Sequence, residues 1–100
     1  MKLQKLTIKE EHISLHNNSI YFSSRLRKDR GFKEDDRFQF LYDKSSKIVV
    51  VLRTKEGGVR LNKDGYCKTR INGLMKYGRY YFSDMKDNGI IFKYKKIWIV

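Results

Sequence analysis

One hundred residues are enough for a single small domain with a modest core, and not for two. A lone cysteine, Cys67, excludes an intrachain disulfide and fits a reducing compartment. No apolar run approaches the ~18 residues of a membrane-spanning helix. Met1 to Leu6 has no apolar stretch of signal-peptide length, so the expected location is the cytoplasm, with no membrane partner. The formal net charge is +12, from 23 Lys and Arg against 11 Asp and Glu, and such a chain is drawn to polyanions. Proline and alanine are absent while Ile, Tyr and Phe abound, a mix that suits strands better than helices.

Residues 1–11 alternate weakly and read as an edge strand or a loose basic arm. From His12 to His16, Ile13 and Leu15 alternate with polar neighbours, the pattern of a half-buried strand. Asn17-Asn18-Ser19 is turn chemistry, and Ile20-Tyr21-Phe22 returns as a second short strand. Ser23 or Ser24 caps a helix of one to two turns through Arg25 to Arg30, and Gly31 ends it with a left-handed residue. Glu34-Asp35-Asp36 is an acidic turn. Arg37 to Tyr42 and Lys47 to Arg53 form a hairpin around Asp43 to Ser46.

Glu56-Gly57-Gly58 is the natural linker. Val59 to Leu61 opens a second unit, with its turn at Asn62 to Gly65 and a strand over Tyr66 to Ile71. Leu74-Met75-Lys76 reads as a second short helix. Arg79 to Met85 and Ile90 to Lys95 form a second hairpin, marked by Asn88-Gly89. Ile97 to Val100 is an apolar tail that needs burial.

The second half repeats the first. Arg37 to Leu52 aligns without a gap on Arg79 to Tyr94, pairing Arg37 with Arg79, Phe38 with Tyr80 and Phe40 with Phe82. Upstream, Ile13 to Asn17 matches Val59 to Lys63. The half-repeats are 13–53 and 59–95, and each can bury its apolar face against the other. The expected fold is therefore mostly β with a minor helical part. Two similar strand–short helix–hairpin units pack as a pseudo-dimeric small barrel or sandwich within a single domain, 1–100.

The stretch from Ile20 to Phe40 resembles the AbrB-type swapped-hairpin family. Leu26-Arg27-Lys28, Gly31-Phe32 and Asp35-Asp36 stand at that family's one-turn helix, glycine–apolar step and acidic turn, and Arg37 to Arg53 stands at its hairpin. Residues 59–95 make a fainter copy, as in MraZ-like members that carry both halves in one chain. Ser23 replaces the family's proline, Arg30 its apolar residue before the glycine, and the second copy lacks the acidic turn. The resemblance implies duplex DNA binding by a dimer or pseudo-dimer, as a small transcriptional regulator or antitoxin-like protein. The implied grip is Arg25, Arg27 and Lys28 in the first half, with Lys68, Arg70 and Lys76 in the second.

The residues themselves add to that set. Arg25, Arg27, Lys28 and Arg30 crowd a helix too short to bury them all, and arginine can pair with guanine or clamp phosphate. Lys68, Arg70, Lys76 and Arg79 interleave with Tyr66, Tyr77, Tyr80 and Tyr81. Such tyrosines usually pack across strands, and can also stack single-stranded bases. His12, His16 and Cys67 lack the paired spacing of a zinc site. Asp35-Asp36 is explained more simply as an acidic turn than as a metal pair, and Gly57-Gly58 lacks the lysine of a phosphate loop. No nucleophile–base pairing is recognisable, so neither an enzyme nor a cofactor is expected. Two rival readings remain. One is a protein-interaction module, such as an inhibitor from a mobile element, and the other is a single-stranded nucleic-acid binder. A homodimer is compatible with each.

Overall fold

The computed structural model describes residues 10–95. Most of the expected N-terminal strand or arm, and all of the Ile97 to Val100 tail, lie outside the described residues. Eight strands and one helix follow in chain order. These are β1 (His12–Leu15), β2 (Ser19–Phe22), α1 (Ser24–Arg30), β3 (Arg37–Asp43), β4 (Ile48–Thr54), β5 (Val59–Arg60), β6 (Tyr66–Lys68), β7 (Gly78–Lys86) and β8 (Gly89–Tyr94). The fold is mostly β.

The strands form one antiparallel sheet in the order β5-β3-β4-β8-β7-β1-β2-β6. A bridge between Leu61 and Cys67 links its two edges, so the sheet curls into a nearly closed barrel. Closure removes the unpaired edges of an open sheet. No helix among the described residues is long and apolar enough to cross a membrane.

The two halves interleave. β1 of the first half pairs with β7 of the second, and β5 of the second pairs with β3 of the first. The registers correspond: Ile13 faces Tyr80, and Val59 faces Phe38. β2 lies against β6, and β4 against β8. Exchanging residues 13–53 with 59–95 maps this strand order onto itself. Loop bonds correspond as well. His16 N–H donates to Ser19 O at 2.9 Å where Asn62 N–H donates to Tyr66 O at 2.8 Å. A pseudo-two-fold axis therefore passes near the Ile20–Cys67 pair.

Strand alternation builds the interior. Ile13, Leu15, Ile20, Phe22, Phe38, Val49, Val51, Leu61, Cys67, Tyr80, Ile90 and Phe92 are buried, while their sequence neighbours are mostly more exposed. Phe22 is the aromatic hub, with ring centroids 4.9 Å from Phe38, 5.9 Å from Phe32 and 6.0 Å from Phe40.

The connections diverge between the halves. After β2, Ser23 caps α1: its Oγ accepts from Leu26 N–H at 3.2 Å and from His12 N–H at 3.1 Å. Gly31 closes the helix with φ 66°, and Leu26 plugs the core. The matching link of the second half, residues 69–77, is shorter and contains no helix, so the expectation over Leu74-Met75-Lys76 is corrected. Asn72 and Gly73, at φ 44° and 79°, turn the chain left-handed where an α-turn would have to grow. Ile71 and Met75 supply the buried plug instead. β6 is also shorter than expected and ends at Lys68. Beyond it, Thr69 and Ile71 donate to Asn18 O and Asn17 O at 3.1 and 2.8 Å.

Two glycines are required for different reasons. Gly89 lies on β8 beside β4, and a Cβ there would stand 2.8 Å from Val50 Cγ1. The Asn-Gly signal thus marks a crowded strand start, and the left-handed turn residue is Asp87, at φ 56°. Gly58 adopts φ 66°, and a Cβ would stand 2.5 Å from Phe38 O. Gly58→Ala is expected to cost about 2–3 kcal/mol through strain and displacement of β5. Thermal unfolding checks it, with a fall in midpoint of roughly 10 °C or more.

Cys67 is buried beside the pseudo-axis, and burial pushes its thiol from the ordinary 9.0 up to about 12. Burial also raises the Tyr80 phenol, with Tyr94 adding to the effect. Both groups stay protonated in the fold at pH values where the unfolded chain releases its protons. The contribution of Cys67 is therefore complete below about pH 9 and is lost on going up toward about 12, and Tyr80 adds a loss of the same sign at alkaline pH. The cysteine share of that fall is about 1.4 kcal/mol per pH unit. Denaturant titrations at about pH 8 and about pH 10 should show the drop, and Cys67→Ala should flatten it.

Candidate nucleic-acid interface

The barrel-wall strands β8, β7, β1, β2 and β6 carry almost no carboxylates, and Glu10, Glu11 and Asp29 border them in a groove beside Tyr81 and Lys93. None of the eleven Asp and Glu side chains lies on β1, β2, β6 or β8, and β7 holds only Asp84, beyond its bulge. Alternation turns a particular set outward. Arg79 lies opposite Ser14, Ser14 opposite Tyr21, and Tyr21 opposite Tyr66. The next row pairs Lys93 with Tyr81 and Tyr81 with His12. Tyr21 and Tyr66 pack at 4.9 Å between centroids, with Arg27 over the first ring at 5.7 Å and Lys68 over the second at 5.8 Å. Tyr81 lies between His12, at 5.7 Å, and the ammonium of Lys95, at 5.9 Å. The wall is thus aromatic in its floor and cationic at its surface.

His12 sits within this wall. Its half-burial holds the imidazole below its ordinary pKa, and the nearby Arg79 adds to that, against the opposing pull of Glu10. The ring is therefore mainly neutral at pH 7 and adds little charge to the surface.

The fold separates the eight cations read from the sequence. Since β2 and β6 are antiparallel, α1 leaves one end of the barrel and the 69–77 link leaves the other. Arg25, Arg27, Lys28 and Arg30 lie with α1, and Arg70 and Lys76 with the link. Lys68 and Arg79 stand on the wall between.

Their surroundings also differ. Arg25 pairs with Asp29 at 2.8 Å. Arg27 donates to Phe22 O at 3.1 Å and lies against Gly65 of the other half, where a Cβ would stand 2.7 Å from its Cζ. Arg30 grips both oxygens of Glu11 at 2.8 and 3.0 Å and lies 5.1 Å from the Phe82 ring. Arg27 and Arg30 tie α1 to the rest of the fold, whereas Arg25 is exposed and its ion pair stays within α1. Lys28 is exposed and forms no ion pair among the described residues. In the second half Lys68, Arg70, Lys76 and Arg79 are exposed and free of carboxylate partners among the described residues, with Lys76 resting over Tyr94 at 4.9 Å.

Two further cations were not singled out in the sequence. Arg37 and Arg60 are direct cross-strand partners on β3 and β5. The repeat carried a trace of this, since Arg37 aligns with Arg79, but Arg60 aligns with Ser14 and gave no signal.

Among the described residues no group of three or more His, Cys, Asp and Glu could hold a metal ion. Asp36 is instead engaged by Arg53 at 2.6 Å and by Lys33 N–H at 2.7 Å. No protein-family model, no curated protein and no solved structure matches the chain.

Proposed function

We propose that this chain is a cytoplasmic DNA-binding protein, a small transcriptional regulator or antitoxin-like protein, that holds duplex DNA against the β7-β1-β2-β6 wall. The observation that carries the reading is the nearly carboxylate-free wall on a chain of net charge +12. Lys68 and Arg79 lie on it, and Lys28, Arg70 and Lys76 stand at its two ends. Cations without carboxylate partners on a rigid sheet release counterions when they meet phosphate, and that release drives binding. The interleaved halves support the AbrB-type resemblance, because each half lends its first strand to the other half's hairpin. Arg27 and Arg30 then position the elements that carry the wall.

The test is fluorescence anisotropy with a random-sequence DNA duplex and the matching single strand, over about 50–200 mM salt. Micromolar or tighter duplex binding that weakens steeply with salt is expected. Tyr21, Tyr66 and Tyr81 already stack on one another or on His12 and bear cations, so the single strand should bind more weakly. Absence of duplex binding at the lowest salt would overturn the proposal.

A further inference from the structure

We propose that Arg37, Arg60 and Lys68 form a clamp for the phosphodiester backbone on the β3-β5-β6 side of the barrel, an inference that rests on the duplex-binding reading above. Arg37 and Arg60 face each other directly across β3 and β5. The Leu61–Cys67 bridge continues the register, so that Arg60 and Lys68 line one groove of about 500 Å³. Phe38, Leu61 and Cys67, the neighbours of the three cations, are buried, which turns the cations outward.

Like charges placed directly opposite destabilise an antiparallel pair. None of the three forms an ion pair among the described residues. Among the described residues Arg37 donates only to Gly57 O, at 3.2 Å. Glu34 and Asp35 line the groove too, and neither lies within ion-pair distance of the three cations. The fold thus retains a repulsive pair that its own carboxylates do not relieve, and an external anion would relieve it.

The pseudo-two-fold sharpens the point. The positions equivalent to Arg37, Arg60 and Lys68 are Arg79, Ser14 and Tyr21, a row with a single cation. The backbone fold does not require the cationic row, because the symmetric half does without it.

The experiment compares the full chain with the triple variant Arg37→Gln, Arg60→Gln, Lys68→Gln and with Arg60→Glu, using a random-sequence DNA duplex. The triple variant should lower the magnitude of the log K against log salt slope by about three. Arg60→Glu should raise the melting midpoint, because it turns a like-charge pair into an opposite one, and should weaken duplex binding at least tenfold. A purely structural arginine would not lose binding while gaining stability. A slope lowered by no more than about one, the share of Lys68 as a wall cation, with the wild type binding well, overturns the clamp and leaves the duplex reading intact. A fall in the melting midpoint of Arg60→Glu likewise overturns the clamp. No wild-type binding overturns both.

Discussion

Phe22→Ala is expected to remove about 3–5 kcal/mol of stability, a large share of the roughly 5–15 kcal/mol that holds a small domain folded. The ring is fully buried and packs on three other phenylalanines, one from the segment after α1 and two from β3. Truncation opens a cavity where the end cap and the first hairpin meet. The surrounding sheet is nearly closed and cannot collapse inward to fill it. Denaturant unfolding measures the loss as a lowered midpoint at an unchanged slope. Leu41→Ala serves as the contrast, since Leu41 is 56% exposed on the outside of β3 and should change stability by less than about 0.5 kcal/mol. Equal losses at the two sites would mean that the Phe22 cluster is not the core.

The double charge reversal Lys68→Glu, Arg79→Glu is expected to weaken duplex binding by about 100-fold or more at about 100 mM salt, and to lower the salt slope by about two. Both side chains are exposed and neither forms an ion pair among the described residues, so the fold should persist. The comparison is Arg30→Gln. Arg30 is paired with Glu11 and half-buried, so its loss should lower the melting midpoint and leave the salt slope nearly unchanged. If Arg30→Gln altered the slope as much as the wall reversal does, the wall would not be the interface. The same comparison separates the helix cations as DNA contacts from the helix cations as structural ties.

Most local elements are legible in the sequence, because they depend on neighbours a few residues away. Alternation in Ile13 to Leu15 and in Tyr80 to Phe92, turn residues at Asn17 and Asp87, the Ser23 cap and the left-handed Gly31 all act within one turn or one hairpin. The Arg25–Asp29 pair is local in the same way, one helical turn apart. The tertiary structure alone decided which strands pair across the two halves, and so which cations meet carboxylates. Arg37 meets Arg60 only because β5 crosses to the first half's hairpin, and Glu11 reaches Arg30 because the β1–β2 pairing brings the chain before β1 back beside α1. It also decided that the link over residues 69–77 would bury Met75 without a helix. That segment must only span the barrel end and plug it, and several hydrogen bonds that fix it are donated to Asn17 and Asn18, far away in the chain.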